Sequence, residues 1–156
     1  MSKPINVHGT GLLLGSTGVL LRGPSGAGKS VLALSLLDRW EGRGLPAFLV
    51  SDDRVELAET GRQFAMRAPE ALAGLIELRG RGIVRRPYKA LVTLDLIIDL
   101  VPDLTRMLEE DQMTGDIAGM TVARAPVPYG DVISLGHQML LVIEAVAALK
   151  PLSPVP

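Results

Sequence analysis

Apolar residues near the start of the chain come in short runs broken by glycine, INVHGTGLLLGSTGVLLRG. This pattern predicts a hairpin, with strands over 11–14 and 18–22 joined at Gly15-Ser16-Thr17. The period changes over 29–40, where Val31, Leu32, Ala33, Leu34, Leu36 and Leu37 fall on a wide helical face ending near 42–44. Residues 46–50 read as a short apolar strand that stops at Ser51-Asp52-Asp53. Alternation over 54–58 and 63–67 predicts a second hairpin turning through 59–61, and 69–75 suits one or two helical turns. IELRGRGIV, residues 76–84, is strand-like, with glycines that predict a bend. Residues 91–101 read as one long strand, 103–111 as a short acidic helix or loop, 120–127 as a strand bounded by Pro126 and Pro128, and 135–149 as a closing helix. Many strands with two helices imply an α/β domain with a mixed β-sheet, not a doubly wound parallel one. No repeat or linker divides the chain. One domain is expected over 1–150, with 151–156, PLSPVP, as a flexible tail.

Composition narrows this picture. One Trp, two Tyr and two Phe leave the core to Leu, Val, Ile and Ala. A net charge of −1 provides no basic field and argues against a nucleic-acid partner. The absence of cysteine excludes disulfides, thiolate metal sites and a Cys nucleophile, and fits a reducing compartment. His8, Gly9, Gly11 and Gly15 break any secretory-signal pattern, and no apolar run approaches the roughly 20 residues of a membrane span. A cytoplasmic protein without a membrane partner is the expectation.

Residues 23–30, GPSGAGKS, match GxxxxGK[ST] at every fixed position, after an apolar strand and ahead of an apolar helix. Gly23, Gly26 and Gly28 let the backbone turn, so that successive N–H groups of the loop Gly23-Pro24-Ser25-Gly26-Ala27-Gly28, all but that of Pro24, which has none, face inward as an anion nest. The helix start adds partial positive charge. Lys29 would reach the β and γ phosphates, and the Ser30 hydroxyl would ligate Mg²⁺. A glycine turn before an ordinary helix would need none of these fixed positions.

Asp52-Asp53 ends an apolar strand, where a phosphate-loop protein keeps its metal-linked acid. One carboxylate suffices for that task. Two adjacent carboxylates repel, which favours protonation of one and suits it to take a proton from an alcohol. A solvated turn is the plainer reading of Asp-Asp, and the upstream phosphate loop tips the balance toward function. Glu77, in an otherwise apolar and glycine-rich strand, reads either as a Mg²⁺ ligand or as a partner for Arg79 or Arg81. His8 reads as a surface residue or a catalytic one, and His137 as a surface or interface residue.

Taken in order, these segments resemble the bacterial HPr kinase/phosphorylases, which phosphorylate a serine of the phosphocarrier protein HPr in the regulation of carbon metabolism. VHGTGLLLGSTGVLLRG, GPSGAGKS, LVSDDRVEL, APEALAGLIELRGRGIV and LLVIEAVAAL carry the resemblance, from about residue 5 to residue 150. It implies a P-loop fold related to that of phosphoenolpyruvate carboxykinase, present here as a catalytic core without the family's N-terminal domain. It also implies Asp52 as proton acceptor with His8 beside it, Mg²⁺ held by Ser30 and Glu77, and ATP as donor. Asp53, the other acid of the pair, is grouped with these metal ligands. In reverse, inorganic phosphate would attack phosphoserine and yield pyrophosphate. A homo-oligomer, typically a hexamer in the family, is further implied. The chain departs from the family pattern in three places. Val31 replaces the acid after the loop Ser, Asp111 is followed by Gln112 instead of Arg, and PVPYGDVISLGH lacks the arginines of the family's P-V-R-P-G-R run. The rival readings are a small-molecule P-loop kinase and a nucleotide-binding regulatory module without turnover.

Overall fold

The computed structural model describes residues 3–149, and the expected tail at 151–156 lies outside them. Strands β1 (Ile5–His8), β2 (Thr10–Leu14) and β3 (Thr17–Arg22) precede helix α1 (Lys29–Gly42). Then follow β4 (Ala47–Ser51), β5 (Arg54–Thr60), β6 (Gln63–Arg67), β7 (Leu75–Leu78), β8 (Gly82–Arg85), β9 (Val92–Thr93) and β10 (Leu96–Val101). β11 (Thr114–Ile117), β12 (Met120–Pro128) and α2 (Leu135–Leu149) complete the described chain.

A six-stranded mixed sheet, ordered β11-β12-β10-β3-β2-β4, forms the middle layer. Its strands β3, β10 and β12 are parallel to one another, whereas β2 runs antiparallel to both β3 and β4. Alternation along these strands supplies two separate apolar faces. Val19, Leu21, Leu96, Ile98, Leu100 and Val127 join Leu32, Leu36 and Trp40 of α1 and Met139 and Val142 of α2 in one cluster. Leu20 and Ile97 join Val55, Leu57, Phe64 and Met66 of a second, antiparallel sheet, ordered β1-β5-β6-β9. The result is three layers: helices, mixed sheet, antiparallel sheet.

Several expected elements are corrected. Residues 76–84 are not one bent strand but the hairpin β7–β8, paired Leu75↔Arg85 to Leu78↔Gly82, because Gly80 and Gly82 take φ of +94° and +107°. Residues 91–101 form two strands serving two sheets. β9 pairs with β6, and β10 with β3 and β12. The break falls at Asp95, whose N–H donates to Gly18 O at 2.8 Å while its carboxylate accepts from Gly18 N at 2.8 Å. A Cβ on Gly18 would stand 1.8 Å from Thr93 O, so the crossing of the two sheets admits only glycine there. β1 and β11 were not predicted. β12 runs through Pro126, which a ladder tolerates because β11 pairs only with residues 120–123 and leaves that flank of Pro126 without a neighbouring strand.

Asp99 of β10 accepts from Arg22 of β3 at 2.7 and 2.9 Å and from Arg124 of β12 at 2.5 Å, tying three strands side by side. Burial raises the proton affinity of this carboxyl, but hydrogen bonds and charge from the two guanidiniums outweigh it and hold Asp99 below the ordinary carboxylate range. Its stabilising contribution is therefore present at neutral pH and lost as pH falls from the unfolded value, about 3.9, through the lower folded one. Asp99→Asn is expected to lower unfolding free energy by about 3 kcal/mol at pH 7, since it strands two half-buried guanidiniums. Urea titrations from pH 7 to 3 should also show a shallower acid-side loss in the variant than in the unmodified chain.

Candidate functional site

The parallel strands β3, β10 and β12 end together, and ligands of α/β sheets bind outside such carboxyl ends. Residues 23–28 leave β3 there as the loop that enters α1. Gly26 and Gly28 have φ of +84° and +95°, and a Cβ on either would meet nothing within 4 Å, so they are glycine for backbone conformation, not for lack of room. Gly23 is glycine for packing, since its Cβ would lie 2.9 Å from Leu100 Cβ. No side chain caps α1, whose first N–H groups face the loop. Lys29, 8% exposed, folds back so that Nζ donates to Gly23 O at 2.6 Å and Pro24 O at 3.0 Å. Burial lowers its proton affinity, and the charges of Asp53 and Asp52 oppose that shift.

The acidic pair is placed by an irregularity in the sheet. β2 and β4 pair Gly11↔Ser51 and then Leu12↔Leu49, which leaves Val50 as an extra residue and re-aims the strand end. The next residues turn sharply. Arg54 N–H donates to Asp52 O at 2.8 Å, Gly9 N–H donates to Asp53 O at 3.1 Å, and Asp53 takes a left-handed φ of +68°. The two carboxylates therefore part. Asp52 turns inward and accepts from Thr10 Oγ1 at 2.9 Å, from Ser30 Oγ at 3.3 and 3.4 Å, and from the Glu77 N–H at 3.3 Å. Asp53 turns outward, 76% exposed, with Oδ1 3.3 Å from His8 Nδ1.

The expected pairing of His8 with Asp52 is thus corrected: His8 meets Asp53. The reason is local. β1 pairs with β5 in the register His8↔Arg54, which brings the His8 ring beside the outward residue of the turn.

Lys29, Ser30, Asp52, Asp53, Glu77 and His8, with Ser25, Gly26 and Gly28, line one cavity of about 470 Å³. Val31, Leu72, Leu75, Ile76, Arg79 and Ile83 complete its wall. Glu77 reaches it from the β7–β8 hairpin, and among the described residues its carboxylate makes no ion pair with Arg79 or Arg81. Among the described residues no three His, Cys, Asp or Glu side chains gather into a metal cage. Mg²⁺ does not require one, because it keeps several waters and takes one or two carboxylates plus phosphate oxygens. The donors at hand, the Ser30 hydroxyl and the Asp52 carboxylate, are all oxygen and fit that ion. His137 does not line the cavity; its N–H donates to Ser134 Oγ at 3.1 Å near the start of α2.

Sequence reading missed Thr10, fully buried and holding Asp52; a polar residue opening the apolar run TGLLL was its only signal. It also missed a second cavity along the loop, lined by residues 24–28 with Tyr129, Gly130 and Asp131. Among the described residues no helix is long and apolar enough to cross a membrane.

The family described as HPr Serine kinase C-terminal domain matches residues 1–152. The HPr kinase/phosphorylases of Burkholderia cenocepacia (strain HI2424) and Paraburkholderia phymatum (strain DSM 17167 / CIP 108236 / LMG 21445 / STM815) are each 34% identical over 155 residues, covering 89% of this chain and 44% of the relative. The chain thus spans less than half the length of these curated relatives. The Hpr(Ser) kinase/phosphatase from Coxiella burnetii superposes with a TM-score of 0.73 at 28% identity, over 92% of this chain and 89% of that one. The mixed α/β architecture is therefore that of this structural neighbour.

Proposed function

The chain belongs to the HPr serine kinase C-terminal domain family, and from that premise we propose that it transfers the γ-phosphoryl group of ATP to a serine hydroxyl of HPr. The observation that carries this reading is the divided acid pair, with one carboxylate on the phosphate-loop serine and the other beside His8 in the same cavity.

Each residue then has a task. The loop amides and Lys29 bind the β and γ phosphates and stabilise charge on the group in transit. Ser30 and Asp52 would hold Mg²⁺, with Glu77 at the wall of the same cavity, and the ion when bound would neutralise phosphate charge. Thr10 fixes the inward carboxylate by donating to Asp52. Asp52 already accepts from Thr10, Ser30 and Glu77, so a substrate hydroxyl would find its oxygens committed. Asp53 faces the open side, and a serine hydroxyl arriving from a docked protein meets it first. We therefore assign proton acceptance to Asp53 and the metal-side task to Asp52, the reverse of the roles expected from sequence. With a proton on Nδ1, His8 donates to Asp53 and holds that carboxylate in place.

In transfer, the serine Oγ forms a bond to the γ-phosphorus, the bond to the β-bridging oxygen breaks, ADP departs and the serine proton passes to Asp53. Reversal uses the same groups. Protonated Asp53 returns its proton to the serine oxygen while inorganic phosphate attacks phosphoserine, giving pyrophosphate. A homo-oligomer is proposed as well; Leu135 and Leu140 of α2 are 40% and 58% exposed and offer apolar contact area, and sedimentation would count the subunits.

Incubation of the chain with HPr, Mg²⁺ and labelled ATP tests the assignment. Label on an HPr serine is the expected result. ATP binding without any transfer would establish a regulatory module, and labelling of a metabolite instead of HPr would establish a small-molecule kinase. Phosphate added to phosphorylated HPr, with pyrophosphate measured, tests the reverse direction.

A further inference from the structure

The cavity containing the acids accounts for one end of a bound nucleotide and not for the other. The second cavity, about 300 Å³, shares Ser25, Gly26 and Gly28 with the first. A polyphosphate lying along these shared residues therefore has an opening toward each. The remaining wall of the second cavity is Tyr129, Gly130 and Asp131, with Pro24 and Ala27 of the loop. None of these side chains is cationic, and Asp131 would repel a further phosphate, so the cavity suits an uncharged group with hydrogen-bond donors.

We propose that the base and ribose of the nucleoside triphosphate occupy this second cavity, against the Tyr129 ring and the Asp131 carboxylate. The inference rests on the nucleotide reading of residues 23–30 given above. Tyr129 offers a flat aromatic face, on which any base can stack. Asp131 can accept from ribose hydroxyls or from an exocyclic amino group.

The platform is held before a ligand arrives. Tyr129 N–H donates to Val101 O at 2.9 Å, and Tyr129 O accepts from Val132 at 2.9 Å and from Ile133 at 3.2 Å. Buried Gln138 of α2 pins the preceding carbonyl, donating from Nε2 to Pro128 O at 2.9 Å. These bonds fix the segment between the end of β12 and α2 at the flank of the loop, so little ordering is required on binding.

Affinities of the unmodified chain, Tyr129→Ala, Tyr129→Phe and Asp131→Asn for ATP and for inorganic tripolyphosphate, measured with Mg²⁺, test the proposal. Tyr129→Ala should weaken ATP by about fivefold or more, the scale of one lost stacking contact, with tripolyphosphate unchanged. Tyr129→Phe should restore ATP affinity, because it keeps the ring. Asp131→Asn should weaken ATP selectively and by less. An unchanged ratio of ATP to tripolyphosphate affinity in the Tyr129→Ala and Asp131→Asn variants would overturn the proposal while leaving the phosphate-loop reading intact. Equal weakening of both ligands by Tyr129→Ala would also overturn it, by making Tyr129 a support of the loop. Failure of the unmodified chain to bind either ligand would overturn both readings together.

Discussion

Lys29→Met is expected to reduce transfer to HPr by about 10³-fold or more while leaving the fold in place. The size follows from where the ammonium sits. Lys29 opens α1 at the end of the glycine loop, and its Nζ is held by the carbonyls of Gly23 and Pro24, within the loop that would cradle the phosphates. Phosphate oxygens would replace those carbonyls as acceptors, so one charge both binds the chain of phosphates and compensates charge in the transition state. Met retains the apolar stem and the helix propensity, which separates the loss of charge from any loss of packing. Burial also makes Lys29 easier to deprotonate than a surface lysine, against the opposing charges of Asp53 and Asp52. Its charged form is therefore lost at a lower pH than for an ordinary lysine, and ATP affinity should begin to fall on the alkaline side before that range is reached. That alkaline limb should vanish in the variant. Measured side by side, undiminished transfer in Lys29→Met would remove the phosphate loop from the mechanism.

Asp53→Asn is the second large effect, a fall in kcat of about 10²- to 10⁴-fold, the usual contribution of a positioned general base. Asn tolerates the left-handed φ of +68° at this position, so the turn should survive the change. It keeps the shape of the carboxylate and loses its capacity to take the serine proton. ATP affinity should be little altered, because the loop and the Ser30–Asp52 contact are untouched. Asp52→Asn should behave differently, raising the Mg²⁺ concentration needed for half-maximal rate and recovering in part at high Mg²⁺. His8→Ala should lie between the unmodified chain and Asp53→Asn, since the ring positions the carboxylate without itself accepting the serine proton. If Asp52→Asn abolishes transfer at every Mg²⁺ concentration and Asp53→Asn is nearly silent, the two roles must be exchanged.

The two carboxylates show why sequence and structure contributed differently. Side by side in the chain they are equivalent, and nothing in SDDR tells them apart. The extra residue in β4, the left-handed Asp53 and the bond from Gly9 to Asp53 O send one inward and the other outward. Those are features of strand register between β2, β4 and the β1–β5 pair, which local pattern does not encode. The same limit explains IELRGRGIV and the long apolar run before Val101. Both have strand composition throughout, and only pairing partners reveal that the first folds back on itself and the second crosses between sheets at Gly18.

The elements whose signals are local can be read directly from the chain. The glycine loop and the helix it opens follow from the fixed glycines, Lys29 and Ser30, and α2 follows from its apolar spacing. The β2–β3 and β5–β6 hairpins follow from alternation and turn residues, and the mixed α/β class from the many strands with two helices. The direction in which each acid of the site faces follows only from tertiary contacts. Thr10, Ser30, Asp52 and Glu77 meet across 42, 22 and 25 positions of separation from Asp52, and Tyr129 comes to the loop because β12 ends beside β3's neighbour β10. The physical reason is that a phosphate nest is built from consecutive backbone amides, whereas the direction in which each acid faces is set by which strands share hydrogen bonds.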